Sequence, residues 1–388
     1  MKRGNRKNRL KLSGVGFASS QVWGSIRLVP VVRAAPPGDL RMDARSYQDD
    51  VTIVSLQGEL MDEGLKYTSY VPHGLVVRWT EDGLPAASFG AELHKADGKR
   101  LKKLPGVRVA HRMAKKEGPN QLRLLPLHLA MEGFLSLHFG GPEVAWSEYS
   151  RQAISRGLDP RRESSVSGRW LQGLQDALRL FEIHENQVGS LIFVADALAS
   201  AFIVSHPADY RRLHNSLLQD FYGELLYQYS FLDAPASMRA CLNEHKIESI
   251  ADLERGLAGM RTEWAAFGNL MADGLLSRHV NMKRVYKAGP FQLSRFMTEL
   301  VPSEENHIGE GIFRDDGTVE YLKTYRLSAA QTRRAFLLST LAEFHWNIDA
   351  AAASERQSRN DFILRLERAG FGYLLKDNVV QAARGQRR

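Results

Sequence analysis

The chain has 388 residues, a length that suggests two or three domains. Its content of 44% hydrophobic and 25% charged residues is typical of a folded globular protein. A single cysteine excludes an intramolecular disulfide bond. The N-terminus is basic but lacks the apolar segment of a secretory signal. We therefore expect a cytoplasmic protein with no membrane partner.

The formal net charge of +8 is concentrated in two terminal segments that contain no acidic residue. Their basic residues are Lys2, Arg3, Arg6, Lys7, Arg9, Lys11, Arg384, Arg387 and Arg388. Without these nine, 43 of the 52 basic residues remain against 44 acidic ones. The two ends can bind phosphates or serve as solvated tails, and the rest of the chain has no overall basic character.

Residues 22 to 140 predict mostly β-strands, because partly alternating apolar residues are separated by turns that contain proline and glycine. The predicted strands cover residues 25–33, 51–56, 68–79, 107–113 and 121–138. This pattern, followed by helical segments, predicts an α+β protein with an N-terminal β-rich, sandwich-like layer.

The longest apolar run, residues 191–204, is too short to span a bilayer and long enough for a buried core. Its β-branched and aromatic residues predict a hairpin over residues 187–205 with both faces covered. His206 and Pro207 then end the sheet, and proline suits the first turn of a helix. The apolar stripe of that helix is Leu213, Leu217, Phe221 and Leu225.

After residue 235 the sequence predicts helices. Ser249 and Asp252 have the spacing of an acidic capping box. A seam of apolar residues follows at alternating intervals of three and four: Ile250, Leu253, Leu257, Met260, Trp264, Phe267 and Met271. The seam packs either on the helix that starts at Pro207 or on a second copy of the chain in a homodimer. A turn at residues 315–317 predicts a further hairpin over 311–325.

These patterns divide the chain into five parts. They are a basic disordered arm (residues 1–20), a β-rich α+β domain (21–232), a helical region with the seam helix and a hairpin (237–322), a tri-helical unit (323–375) and a basic tail (376–388).

Residues 337–375 predict three helices. The first ends near residue 346, and Asp349 can cap a short second helix. Ser358 stands three residues before Asp361, a capping-box spacing that starts a third helix, and this helix ends at Gly370. Two short helices, a tight turn and a third helix form a helix-turn-helix candidate.

This segment resembles the Fis-type helix-turn-helix at the C-terminus of Fis and of bacterial enhancer-binding regulators. The matching residues are Trp346, Asn347, Ala351, Ala352, Ser358, Arg359, Phe362, Leu366 and Gly370. The resemblance implies that the third helix enters the DNA major groove. The residues then able to meet DNA are Arg359, Asn360, Ile363 and Arg365 at the bases, with Arg356 and Arg368 near phosphates.

The segment departs from the Fis pattern before the third helix. Ser354, Glu355 and Arg356 stand where the family has two leucines and a glycine, and Gln357 replaces an apolar turn residue. These departures are typical of a degenerate or repurposed module.

Three further passages resemble the ARG-and-Rhodanese-Phosphatase-superfamily-associated protein family. They are LPLHLAMEGFLSLHFGGPEVAWSEYS, ALRLFEIHENQVGSLIFVADALASAFIVSHPADYRRLH and the segment from ENHIGEG to EYLKTYRLSAAQTRRAF. The resemblance covers most of residues 20–375. It implies a bacterial protein of a conflict or stress gene neighbourhood and supplies no catalytic residues.

Enzyme chemistry has a weaker basis in the sequence. His184, Glu185, His206 and Asp209 flank the predicted central hairpin and could form a ligand or acid–base site. Their spacing matches no metal motif, and the chain has neither HExxH nor a glycine-rich phosphate loop. We expect no metal and no cofactor.

The sequence therefore predicts a non-enzymatic regulatory or accessory protein of a bacterial defence or stress system. It would contact DNA through residues 323–375 and dimerise through residues 250–271. Two alternatives remain open. One is an enzyme or small-ligand binder using the His184, Glu185, His206 and Asp209 region. The other is a protein-interaction adaptor with a degenerate helix-turn-helix, whose partner is encoded nearby.

Overall fold

A computed structural model describes residues 8–37, 39–41, 44–47, 51–55, 66–70, 78–79, 85–87, 92–94, 107–111, 114–118, 121–124, 138–139, 169–170, 181–218, 222, 225–226, 229, 232–233, 242–301 and 303–385. The α+β class is confirmed: the described chain combines antiparallel sheets with α-helices.

The strands in chain order are β1 Asn8–Arg9, β2 Gly16–Phe17, β3 Gln21–Trp23, β4 Ile26–Val32, β5 Ala44–Tyr47, β6 Val51–Ser55, β7 Lys66–Tyr70, β8 Arg78–Trp79, β9 Pro85–Ala87, β10 Glu92–His94, β11 Val107–His111, β12 Ala114–Gly118, β13 Gln121–Leu124, β14 Arg169–Trp170, β15 Gln187–Val194, β16 Ala197–Ile203, β17 His279–Ala288, β18 Phe291–Thr298, β19 His307–Arg314 and β20 Val319–Arg326. The α-helices are α1 Pro207–Ser216, α2 Ile250–Met271, α3 Asp273–Leu276, α4 Ala329–Glu343, α5 Ile348–Ser354, α6 Arg359–Leu366 and α7 Asp377–Gly385.

The largest sheet has ten strands in the order β1-β17-β18-β19-β20-β16-β15-β4-β2, with β3 also paired to β4. Every pairing in it is antiparallel. Smaller antiparallel pairings join β5 and β10 to β7, β8 and β14 to β9, β6 to β11, and β12 to β13. The large sheet therefore combines strands from the start, the middle and the last third of the chain.

The hairpin of β15 and β16 lies in the interior of the sheet, at the position that the sequence predicts. Its two turn residues, Ala195 and Asp196, both have positive φ, which matches the twist of a tight hairpin turn. Alternate residues of β15 enter different apolar clusters, with Ile192 in one and Leu191 and Phe193 in the other. The side of the sheet that carries Ile192 is called the first face below, and the opposite side is called the second face.

Helix α1 and the segment after it cover part of the first face. His206 caps α1 by accepting a hydrogen bond at Nδ1 from the Ala208 N–H, and Pro207 occupies the first turn as predicted. The buried residues that this region contributes are Tyr210, Leu213, Leu217, Leu218, Tyr222 and Leu226.

A buried chain of hydrogen bonds connects α1 to the sheet. Gln187 Nε2 donates to the Tyr210 hydroxyl (3.0 Å), which lies 3.0 Å from His214 Nδ1. The other ring nitrogen of His214 lies 2.7 Å from the Phe181 carbonyl oxygen. The Nε2–H tautomer satisfies both contacts, so His214 is held neutral, and burial lowers its pKa to about 4.

A charged network closes the second face near the ends of β4 and β20. The Glu320 carboxylate is fully buried and accepts hydrogen bonds from Arg33 Nη1 (3.1 Å) and from Arg314 Nε. Arg314 also binds both carboxylate oxygens of Asp39. Burial lowers the pKa of Arg33 and Glu320 opposes that effect, so the two charges depend on each other.

The structure differs from the expected organisation in two places. Residues 8–20, expected to belong to a disordered arm, lie on the sheet: β1 pairs with β17, and Leu10 and Phe17 are buried in the second face. The region expected to be mainly helical contributes the hairpin β17–β18, which pairs with β19. One sheet therefore crosses the boundary expected near residues 232–237.

Candidate nucleic-acid interface

The C-terminal unit consists of α4, α5 and α6, and each helix begins with a side-chain cap. Ser328 and Gln331 form a capping box on α4. Asn347, rather than the expected Asp349, caps α5 by accepting from the Ala350 N–H (3.0 Å). Ser358 caps α6 by accepting from the Asp361 N–H (3.1 Å), as its spacing predicts.

The apolar sides of these helices pack on the first face of the sheet. Ala351 and Ala352 are buried, and their small side chains let neighbouring helices approach closely. Phe362 and Leu366 of α6 belong to the same apolar cluster as Ile308 of β19. Beyond α6, Gly370 has φ +85°, the left-handed conformation expected at a helix end.

Ile363 does not lie where the helix-turn-helix resemblance implies. Its side chain is 0% exposed and packs with Leu364 and with Ala383 of α7. Helix α7 therefore covers one side of α6, and Ile363 contributes to the core instead of reaching a base.

The other expected DNA contacts remain on the surface of the unit. Arg359 forms an ion pair with Asp349 (3.1 Å) and Arg365 forms one with Glu355 (3.1 Å). Asn360 is partly buried at the start of α6. Arg359 and Asn360 lie in the first turn of α6, and Arg365 lies in its last turn.

Arg356 and Arg368 are exposed, and neither guanidinium forms a hydrogen bond or an ion pair within the described residues. Arg356 has φ +53°, a left-handed conformation that favours glycine. The backbone therefore turns sharply at Arg356, between α5 and α6, while its side chain stays exposed.

The alternative ligand residues do not form a metal site. Asp209 is fully buried and accepts hydrogen bonds from Arg41 (2.7 Å) and Arg212 (3.0 Å). His206 is the cap of α1. His184 is partly buried, burial lowers its pKa, and Glu185 is exposed. Among the residues that the structure describes, no group of three His, Cys, Asp or Glu side chains could hold a metal ion.

Sequence reasoning did not identify a row of charged residues on the first face, called the charged row below. Lys283, Arg295, Glu310 and Lys323 are register partners on the four adjacent strands β17 to β20. Glu310 is 5% exposed and Lys323 is 0% exposed. In a sequence, charges within strands indicate a solvated face, so the alternating pattern gives no signal that this row is buried.

The buried members of the charged row have shifted pKa values. Burial lowers the pKa of Lys323 to about 7, and attraction to Glu310 opposes the shift. Burial raises the pKa of Glu310, while Lys323, Arg295 and a hydrogen bond from the Tyr321 hydroxyl (3.2 Å) lower it. Titratable groups of this kind often mark functional sites.

The fold is that of an α+β protein built on a large antiparallel sheet that carries a tri-helical C-terminal unit. The sequence model of the ARPP-2 family matches residues 10–289, and the chain therefore belongs to this ARG-and-rhodanese-phosphatase-associated family. The family resemblance seen in the sequence is confirmed over that range, and β18 to β20 and α4 to α7 lie beyond it. No curated protein and no solved structure matches the chain. Within the described residues, no helix has the length and apolarity needed to cross a membrane.

Proposed function

We propose that this ARPP-2 protein is a non-enzymatic regulatory or accessory protein of a bacterial defence or stress system that acts in the cytoplasm. It contacts DNA through an arginine surface around α6, formed by Arg356, Arg359, Arg365 and Arg368. The observation that supports this proposal is the separation of residue types on and beside α6: the apolar side chains of the helix are buried, whereas Arg359 and Arg365 on it and Arg356 and Arg368 next to it are not. Asn360 can add a polar contact at the start of α6.

The ion pairs of this surface do not compete strongly with DNA. Exposed pairs such as Arg359 with Asp349 contribute roughly 0–1 kcal/mol. A phosphate can replace the carboxylate, because the planar guanidinium binds both anions in the same two-point geometry. Arg356 and Arg368 need give up no described protein partner.

We expect the full chain to bind random-sequence duplex DNA with an affinity that falls steeply with salt. The double variant Arg356→Gly/Arg368→Ala should lose two phosphate contacts. Its log–log salt slope should then be smaller by about 2, with a loss of affinity of roughly 10-fold at moderate salt. Fluorescence anisotropy across a salt series measures both quantities.

The Arg356→Gly change separates binding from folding, because glycine fits φ +53° better than arginine and should not destabilise the turn. A charge-matched control is Arg211→Ala/Arg284→Ala, at exposed positions of α1 and β17. A third variant, with Lys2, Arg3, Arg6 and Lys7 changed to serine, tests the N-terminal tail. The proposal fails if the control or the tail variant loses as much affinity as the α6 variant, or if no protein binds. Absence of binding would favour the adaptor alternative.

We also propose that the chain forms a homodimer through the first half of the α2 seam. The second half of the seam is occupied within the chain: Phe267 lies under the Arg27 guanidinium (5.3 Å), and Gly268 lets Phe17 approach closely. The first half is accessible in the part of the chain that the structure describes, with Ile250 78%, Leu253 39% and Leu257 38% exposed.

The charges beside the seam favour an antiparallel pair. In the heptad set by Ile250 and Leu253, Glu254 and Arg261 occupy the e positions, and both are exposed. Antiparallel packing brings e positions of the two copies together, so Glu254 of each copy meets Arg261 of the other. Parallel packing would place Arg261 opposite Gly256 and Glu254 opposite Ser249. Two copies would present two arginine surfaces, which suits two DNA half-sites.

We expect Leu253→Glu to weaken the dimer by at least about 100-fold, because two apolar contacts are lost in a symmetric interface and a charge is buried at each. Sedimentation velocity over a concentration series measures this change. Ala258→Glu, on the outer side of the same helix, should leave dimerisation unchanged.

A charge exchange tests the direction of pairing. Glu254→Arg should weaken the dimer, and Glu254→Arg/Arg261→Glu should restore it. A wild-type chain that remains monomeric at high micromolar concentration would refute the dimer. A double variant as weak as the single one would refute antiparallel pairing.

A further inference from the structure

The two edges of the large sheet differ in how much of each is covered. At one edge, β2, β3 and a hydrogen bond from the Ala18 N–H to the Pro30 carbonyl cover β4 along its length. At the other edge, β1 pairs only with His279 and Val280 at the start of β17. Within the described residues, the rest of the outer side of β17 has no backbone partner. This stretch is called the open edge below.

Backbone groups of the open edge are directed towards a further strand. The carbonyl of His279 accepts a hydrogen bond from the Glu299 N–H on the β18 side (2.8 Å). Successive residues of an antiparallel strand bond to alternate sides. The register from Val280 to Arg284 is regular, so Met282 and Arg284 direct their N–H and carbonyl groups away from β18. Unpaired groups of this kind are a template for strand addition.

The side chains of the open edge carry positive charge. Strand β17 contains Lys283, Arg284 and Lys287, all exposed, and no acidic residue. The Lys283 ammonium donates to the carbonyl of His138, and Lys287 forms an exposed ion pair with Asp315 (3.4 Å). The Arg284 guanidinium makes no hydrogen bond or ion pair within the described part of the chain. Because neighbouring residues point to opposite faces, Lys283 and Arg284 place positive charge on both sides of the edge.

These charges favour one kind of strand over two others. Two copies of the chain joined edge to edge would bring basic residues of both β17 strands together, and like charges on neighbouring strands are destabilising. The seven residues before β1 include four basic and no acidic ones, so charge also opposes their pairing along the open edge. An acidic strand would instead form opposite-charge pairs with Lys283 and Arg284. Met282 and Tyr286, both partly buried, add apolar contacts beside these charges.

We propose that the open edge of β17 binds an extended, acidic segment of a partner protein as an additional strand of the sheet. Backbone hydrogen bonds with Met282 and Arg284 supply affinity, and pairing with Lys283 and Arg284 supplies selectivity. The positive charge that attracts this segment also keeps two copies of the edge apart. This proposal does not depend on the DNA and dimer proposals.

The test uses a fluorescein-labelled peptide of glutamate, threonine and valine, matched in length to the open edge. Fluorescence anisotropy with the full-length wild-type chain should show saturable binding at submillimolar concentration. The same peptide with N-methylated backbone amides keeps its charge but cannot donate hydrogen bonds, so it should bind at least about 10-fold more weakly. A peptide with lysine in place of glutamate should also bind about 10-fold more weakly.

Three changes at Arg284 separate backbone pairing from charge. Arg284→Ala removes the charge and should weaken binding by several-fold. Arg284→Pro also removes the outward N–H, at no cost to the pairing with β18, and should weaken binding by at least about 10-fold more. Arg284→Glu should reverse the preference, so that the lysine peptide binds more tightly than the glutamate peptide. Arg211→Ala, at an exposed position of α1, is the control and should bind like the wild type.

Gly4→Pro tests the chain's own N-terminus as the occupant, because proline there blocks strand pairing, and it should leave peptide binding unchanged. An increase in affinity would assign the open edge to the N-terminus and overturn the proposal. Weaker self-association of Arg284→Pro in sedimentation velocity would assign it to a second copy, with the same consequence.

The proposal is also overturned if the peptide does not bind at millimolar concentration or if Arg284→Pro binds it as well as the wild type does. Equal binding of the N-methylated peptide would overturn it too, by showing that the edge attracts any polyanion. If Arg284→Pro does not fold, the comparison of the two peptides on the wild-type chain decides between these outcomes.

Discussion

Lowering the pH from 7 to 5 is expected to destabilise the folded protein by roughly 5 kcal/mol, because three buried histidines are held neutral. Burial lowers the pKa of His138 to about 3, and those of His214 and His307 to about 4. Lys283 and Arg295 lower the pKa of His138 further. Nε2 of His307 lies 3.0 Å from the Leu198 carbonyl oxygen, an arrangement that the neutral ring satisfies.

Stability falls as the pH falls because the unfolded chain binds more protons than the folded chain. In the unfolded chain these histidines titrate near 6.5, above their folded pKa values. The stability that they contribute is present above pH 6.5 and is lost as the pH falls towards 4 and below. Each histidine costs about 1.4 kcal/mol per pH unit in that window. A loss of this size is a large part of the total stability of a typical domain.

Urea unfolding at several pH values between 7 and 5 measures the effect as proton uptake on unfolding. His307→Gln can still donate to the Leu198 carbonyl and should reduce the uptake by about one proton per chain. His245→Gln, at an exposed site, should leave it unchanged. A free energy of unfolding that is equal at pH 7 and pH 5 would contradict the prediction.

Glu320→Ala is expected to destabilise the protein by about 3–5 kcal/mol, because it leaves buried positive charge without its partner. The Glu320 carboxylate is fully buried between Arg33 and Arg314, and Arg33 is itself buried. Removing the carboxylate leaves the Arg33 guanidinium with the Val319 carbonyl as its remaining described acceptor.

Asp315→Ala provides the matched control. It removes an acidic partner from the same hairpin, but its ion pair with Lys287 (3.4 Å) is exposed on both sides. The loss there should be at most about 1 kcal/mol. Chemical denaturation of both variants measures the difference, and equal losses would show that Glu320 does not act as the centre of a buried network.

Local features of the fold could be predicted from the sequence. Ser249 and Ser358 cap helices, and Gly370 takes the left-handed conformation at a helix end. These roles depend only on backbone groups a few residues away. The hairpin of β15 and β16 follows from its β-branched residues and short turn. These signals depend on few residues that are close in sequence.

The missed features depend on partners that are distant in sequence. The β17–β18 hairpin carries charges on the side where Lys283 and Arg295 stand, and such strands lack the apolar alternation that predicts a sheet. The charged row is visible only when four strands are aligned. The resemblance to the Fis-type helix-turn-helix implies that Ile363 meets DNA, and the sequence alone does not show that α7 packs against this residue.

The pairing order of the large sheet means that the sheet can be completed only late in synthesis of the chain. The Oγ of Ser200 donates to the carbonyl of Thr324 across 124 residues, and Arg33 reaches Glu320 across 287 residues. The β15–β16 hairpin can form early, but β16 cannot pair with β20 until β20, the last strand of the sheet, has been synthesised. Chains dominated by such distant contacts fold slowly. During synthesis the edge of β16 would remain open until most of the polypeptide has left the ribosome, and that interval is when a chaperone would be needed to prevent aggregation.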